Sequence, residues 1–227
     1  MLKTSSSRLG HRQQVFLAEL VGTFVVVALA TGSVVMDARF GGALGLPFIA
    51  FAPFAGVAVG VFFFSRVSMA VFNPAVLVGY LITGHIKKSD AGNYLVAQLA
   101  GAFAGSAFVM AVIGTDANLG ANAPNYSYAL PLIFGIEVLA SALLMAVILF
   151  TVYNKGLRGF GPIAIGGMVG LDIFFFASIS GASMNPARSL APAVLSGAPG
   201  DLWLYWTATF LGAAIAAIMV KKKFGNS

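Results

Sequence analysis

Charge is what this sequence has least of. Only 9% of its 227 residues are Asp, Glu, Lys or Arg, where about a quarter is usual for a soluble domain. Apolar residues make up 59%, more than one buried core absorbs, and seven acidic and 13 basic side chains are too few to cover a water-facing surface. A soluble fold is excluded, so lipid has to be the solvent for most of the exterior. Cysteine is absent, which removes disulfides, thiolate chemistry and cysteine-ligated metals and leaves the redox compartment undetermined. The two histidines, His11 and His85, are far apart in the chain and offer no metal-ligand spacing, so no metal and no cofactor are expected. The net charge of +6 raises the question of nucleic acid. Such binding needs a basic face carrying base-reading residues, and here the cations are scattered, so no nucleic-acid partner is expected.

What the sequence has instead is long apolar runs. A helix crossing the hydrocarbon core needs about 20 predominantly apolar residues, and six stretches qualify: 15–36, 46–64, 95–113, 130–153, 163–179 and 202–220. Two more, 75–82 and 187–195, are too short to cross, and each directly follows an Asn-Pro pair; they read as half-spans. Residues 1–14 are polar and basic and precede a full-length span, which predicts a tail rather than a cleaved signal. Residues 15–227 then form a single transmembrane domain. Lys3, Arg8, Arg12, Lys87, Lys88, Lys155, Arg158 and Lys221 to Lys223 all fall on one side of that topology, ten of the 13 basic residues. By the bias of cytoplasmic loops towards Lys and Arg, both termini are expected in the cytoplasm and the protein in the cell membrane.

The chain also repeats itself. Asn73-Pro74-Ala75 recurs 112 residues later as Asn185-Pro186-Ala187, and Glu19 in the first span has a counterpart in Glu137 in the fourth. Each half, about 15–113 and 130–220, holds three spans and one half-span. Three is odd, so the second half enters from the opposite side. The result is an inverted repeat whose half-spans approach the midplane from opposite faces. The expected fold is all-α: six transmembrane helices plus two re-entrant half-helices.

Asn is a preferred N-cap and Pro a preferred first helical residue, so each Asn-Pro marks a helix start. Simple capping accounts for each motif alone. It does not account for two starts facing one another in lipid, where no water satisfies orphan N–H groups. Facing N-termini bring two positive dipole ends together, with the Asn73 and Asn185 amides aimed into the gap. A water accepting from both has its hydrogens turned along the path in opposite directions, which breaks a proton wire, and the same potential opposes cations. Arg188, one turn into the second half-helix, is costly inside a span and reads as functional; snorkelling to the headgroups is the bland alternative. Glu19 and Glu137 lack a companion for acid–base work and suit hydrogen bonding to irregular backbone at membrane depth. No catalytic residue and no enzyme activity are indicated.

Two Asn-Pro-Ala motifs at half-length spacing, a glutamate in spans one and four, and Arg188-Ser189 after the second motif together resemble the aquaporins, the major intrinsic protein family. The resemblance covers residues 17–214. It implies a passive channel with Asn73 and Asn185 at a central constriction and with Arg188, Ala182, Ile173 and Phe54 at a selectivity constriction; a one-residue shift makes the last of these Pro53. It also implies a homotetramer with one pore per subunit. Ser189, where glycerol facilitators usually carry Asp, and the pair Tyr205-Trp206 look like the water group. Ile173 stands where water-specific members have His, as in some archaeal members, and with the small Ala182 it predicts a wider, more apolar opening. Water is the expected solute, with small neutral solutes or gases as further cargo. A coupled transporter is the rival from another class, since such proteins also use inverted repeats and broken helices. A non-conducting structural membrane protein is a third reading, with no need for Arg188. Two charges, Arg66 and Asp172, have no assigned role; Asp172 in the fifth span is read as facing a loop, Arg66 or a neighbouring subunit. Arg66, expected in the loop before Asn73, is read either as narrowing the cytoplasmic mouth or as a strut to loop carbonyls or to Asp172.

Overall fold

A computed structural model describes residues 9–157 and 159–224. Its helices in chain order are α1 (His11–Arg39), α2 (Gly45–Ser68), α3 (Pro74–Thr83), α4 (Ala91–Val112), α5 (Asp116–Gly120), α6 (Leu130–Tyr153), α7 (Gly161–Ser180), α8 (Pro186–Leu195) and α9 (Leu202–Phe224). Short 3₁₀ turns at 88–90 and 155–157 precede α4 and α7. α5 is a single turn in which Ala117, Asn118 and Leu119 all have positive φ. Six helices, α1, α2, α4, α6, α7 and α9, are long and apolar enough to cross a membrane, matching the six runs expected. α3 and α8, ten residues each, are the half-spans.

The ends of these elements correct two details and place the half-helix starts where the Asn-Pro motifs predict them. α1 begins at His11, inside the segment expected as a tail. α2 continues to Ser68, so Arg66 sits in its last turn and not in the following loop. Each half-helix starts on its proline, at Pro74 and Pro186. Of the cations used to orient the chain, Lys3, Arg8 and Arg158 lie outside the described residues.

Close crossings need residues without side chains, and the glycines supply them. A Cβ added at Gly101 of α4 would lie 2.3 Å from the Leu20 carbonyl of α1, and one at Gly212 of α9 would lie 2.2 Å from the Val138 carbonyl of α6. These are equivalent contacts in the two halves, since α1 pairs with α4 as α6 pairs with α9. The half-helices are exchanged between halves: α3 packs on α9, and α8 on α4.

The connections gather at two ends. Arg12 donates to the Ser89 carbonyl (2.8 Å), Lys221 to the Ile82 carbonyl (2.7 Å), and Tyr153 stacks on Phe224, so the start of α1, the 82–90 segment and the end of α9 share one face. On the opposite face Arg39 pairs with Asp116 at 3.4 Å and donates to the Ile113 carbonyl, while the Tyr126 hydroxyl donates to Asp201.

Candidate functional site

At mid-molecule the two half-helices meet N-terminus to N-terminus. Asn73 and Asn185 are extended at φ −156° and −138°, as N-caps are, and each side-chain oxygen accepts from the first free N–H groups of its own helix. Asn73 Oδ1 takes Ala75 N at 2.8 Å, and Asn185 Oδ1 takes Ala187 N at 3.0 Å. The amide nitrogens reach across to the other half. Asn73 Nδ2 donates to the Met184 carbonyl (2.8 Å) and Asn185 Nδ2 to the Phe72 carbonyl (2.9 Å). A carboxamide carries two N–H donors, so one on each Asn is left for the cavity that both residues line.

The loops entering these helices are held by carboxylates. Glu19 accepts from Val71 N and Phe72 N at 2.9 Å each, from Ser68 Oγ at 2.7 Å and from Gln98 Nε2 at 2.9 Å. Glu137 accepts from Ser183 N at 3.0 and 3.1 Å, Met184 N at 3.4 Å and Ser180 Oγ at 2.7 Å. Tyrosine hydroxyls complete the pattern at matching places: Tyr94 donates to the Ser68 carbonyl and Tyr205 to the Ser180 carbonyl, both at 2.7 Å. Ala70, Phe72, Ala182 and Met184 are forced to positive φ, a strained state for residues with a Cβ. In a trans peptide the N–H and C=O point in opposite directions. With the Val71, Phe72, Ser183 and Met184 N–H groups turned to the carboxylates, the carbonyls of Ala70, Val71, Ala182 and Ser183 turn away from them, towards the cavity those four residues line. The result is a series of acceptors along an otherwise apolar wall.

Two cavities lie end to end. One is walled by Val57 and Val61 of α2, Ile165 and Val169 of α7, and Tyr80 of α3, and runs towards the face that holds the termini. The other is walled by Leu46 and Ile49 of α2, Ala177 of α7 and the 121–123 segment, and opens on the opposite face. They share four residues: Ala30, Ile173, Ala182 and Arg188. The structure thus brings Ile173, Ala182 and Arg188 together at a neck. Phe54 is not among the lining residues of either cavity, and Pro53 is. The cause is helical phase. Leu46, Ile49, Pro53, Val57 and Val61 recur every three or four residues and form one stripe, whereas Phe54 is a step further round and packs against α7, its Cβ only 3.1 Å from where a Cβ on Gly170 would stand.

Arg188 is buried and fixed by two bonds from one nitrogen. Its Nη1 donates to the Gly120 carbonyl and to Asn122 Oδ1, both at 2.9 Å. Asn122 also accepts from Ser189 Oγ at 2.9 Å and donates to the Gly181 carbonyl at 2.7 Å. No ion pair to Arg188 occurs among the described residues; carbonyl and amide oxygens hold it, and its remaining N–H groups are open to a solute. Asn122, Gly120 and Gln98 escape sequence reasoning because nothing local marks them; only Asn122's place in the apolar-to-polar 114–129 connection hints at a role. Arg66 is exposed at the end of α2, and it makes no ion pair with Asp172, whose carboxylate is fully buried without a hydrogen-bond partner.

The sequence profile of the family described as "Major intrinsic protein" matches residues 5–220. A probable aquaporin of Arabidopsis thaliana is 32% identical over 90% of this chain and 74% of its own length. A glycerol uptake facilitator-like protein of Lactiplantibacillus plantarum is 34% identical over 91% of this chain and 96% of its own. Aquaporin Z of Rhodopseudomonas palustris is 30% identical over 91% of both chains. The crystal structure of the aquaglyceroporin of Plasmodium falciparum superposes with a TM-score of 0.81 at 24% identity, covering 93% of this chain and 96% of that one, and shares the fold.

Proposed function

Since the chain belongs to the major intrinsic protein family, whose members are passive channels and not enzymes, we propose that it conducts water through the two joined cavities while excluding protons and ions, with small neutral solutes as additional cargo. The observation carrying this reading is the pair of asparagine amides at mid-path, each with an N–H to spare, bracketed by carbonyl acceptors on both sides. A single file of waters accepts from the amides at the centre and donates to the carbonyls beyond, so water orientation reverses at the asparagines and no proton is relayed. Arg188 adds a fixed positive charge at the neck, which repels cations and donates to a passing oxygen. We take Asn73 and Asn185 as the central barrier residues, with Arg188, Ile173, Ala182 and Pro53 as the neck and Glu19 and Glu137 as the struts of the two loops.

A facilitator of larger neutral solutes is the second reading. It is favoured by a neck whose α2 and α7 walls, Pro53 and Ile173, are apolar, with the small Ala182 beside them, and by the relative named for glycerol uptake. Ten basic residues on the termini-bearing side support a cell-membrane protein with both ends in the cytoplasm, and the family resemblance supports a homotetramer.

Proteoliposomes test this directly. Under an osmotic step they should shrink faster than empty vesicles in stopped-flow light scattering, with no dissipation of an imposed pH gradient; shrinkage equal to that of empty vesicles overturns the reading. A glycerol gradient separates the two solute classes, and Ile173→His should lower glycerol flux relative to water.

A further inference from the structure

Pro53 is the one proline in the interior of a helix that crosses the membrane, buried in α2 eight residues from its start. Proline has no N–H, and its ring crowds the carbonyl four residues earlier. That carbonyl belongs to Ile49, and it therefore lacks the donor four residues on that an α-helix supplies. The polar side chains that line the outer cavity with Ile49 donate elsewhere, Arg188 Nη1 to the Gly120 carbonyl and Asn122, and Asn122 Nδ2 to the Gly181 carbonyl. In an α-helix a carbonyl points along the axis towards residue i+4 and lies on the face that residues i and i+4 share. Ile49 walls the outer cavity and Pro53 the inner one, so the freed oxygen lies on the pore-facing stripe of α2, at the level where the cavities meet. A carbonyl inside a membrane without its helical donor is expensive unless something else donates to it, and the two cavities that Ile49 and Pro53 line are where such a donor would come from.

We infer that the Ile49 carbonyl, released by Pro53, is a solute-binding acceptor in the neck, working with the free N–H groups of Arg188 as donor. The inference rests on the channel reading above and names what its neck selects: small neutral solutes that carry a donor beside an acceptor, namely polyols and ureas. A solute O–H or N–H donates to Ile49 O while its own oxygen accepts from Arg188. Both halves of the recognition are then made without any polar side chain on α2 or α7. An apolar wall that looks permissive in side chains keeps a polar contact through its backbone.

Pro53→Ala distinguishes this from a purely steric role. Alanine is smaller, so a steric neck widens and passes more urea and glycerol. Alanine also returns the N–H that binds Ile49 O back into the helix, so an acceptor neck passes less. The ratio of urea to water permeability, read on the same vesicles so that channel number cancels, should fall about threefold or more in Pro53→Ala, the scale of one lost hydrogen bond. Ile173→Ala, which widens the neck and leaves the carbonyl free, should raise it. Pro53→Gly makes the same test should the alanine variant fail to insert. An unchanged or raised ratio in Pro53→Ala overturns the acceptor, and so does a wild type that passes water but neither urea nor glycerol. Wild-type vesicles that shrink no faster than empty ones overturn the channel reading itself.

Discussion

At the scale of single residues, Arg188 carries more than its sequence motif indicates. A guanidinium buried at membrane depth, with no carboxylate in ion-pair contact among the described residues, is held by Gly120 and Asn122, which accept from it. Among the described residues no acidic side chain lines either cavity, so the charge acts on whatever enters the lumen. Arg188→Val should leave osmotic water flux within a few-fold of wild type, on the order of one lost charge-assisted hydrogen bond, while a pH-sensitive dye trapped in the vesicles reports a cation or proton leak absent from the wild type. The same scale shows where the sequence misleads. Ile173 and Ala182, both counted from Asn185 over 12 residues or fewer, line both cavities. Phe54 is 19 residues before Asn73, across the bend at Met69, and a count over that distance slips by one. One residue is 100° of helix, enough to turn a side chain from the cavity into a neighbouring helix. Asn122 has no motif at all, since its partners are 59 to 67 residues away.

Among the elements, the loop–half-helix units depend on a few buried acceptors. Glu19→Leu removes the partner of Val71 N, Phe72 N, Ser68 Oγ and Gln98 Nε2 together. Each orphaned buried donor costs about 1–3 kcal/mol, so the variant should lose most of its folded yield in detergent, measured by size-exclusion chromatography, whereas Glu19→Gln retains part of it. A second element-level feature is the seam between α3, α6 and α9 at the termini-bearing face. The His85 ring packs against Tyr80 and Tyr153, with Nδ1 2.8 Å from Thr83 Oγ1, and burial pushes its basicity below the usual histidine range. The folded protein thus takes up that proton less readily than the unfolded chain, whose histidine titrates near 6.5. Stability is unaffected above that pH and falls as pH drops from about 6.5 through the lowered folded value. Thermal melts between pH 7.5 and 5 should show this loss, and His85→Gln should flatten that part of the profile. The glutamates were readable in sequence as hydrogen-bonding groups because a carboxylate in an apolar span has few other uses. The His85 seam was not, because its ring partners come from two helices far apart in the chain.

For the molecule as a whole, almost everything about the path of the chain was written in the sequence. Hydropathy alone marks six crossings because lipid demands about 20 apolar residues each time, and parity then sets both termini on one face. Arg12 on Ser89 and Lys221 on Ile82 are the contacts that such a topology requires. A fluorescent or protease-sensitive tag should accordingly behave identically at either end of the chain in intact cells, and the placement of ten cations predicts that both tags are shielded from an external protease. The exchange of half-helices, α3 onto α9 and α8 onto α4, was legible only as symmetry; which long helix each one leans on depends on packing that no local pattern records.

The crossed amide bonds put this architecture on a clock. Asn73 donates to a carbonyl 111 residues further along the chain, and Phe72 receives its bond from residue 185. At 5–20 residues per second, roughly 6–22 s of synthesis separate the first half-helix from the carbonyl that fixes its cap. For that interval Glu19 and its neighbours hold the first loop alone. A nascent chain stopped short of Met184 holds at most five of the six spans and lacks the second half-helix, so premature release yields an inert fragment rather than a leaking pore.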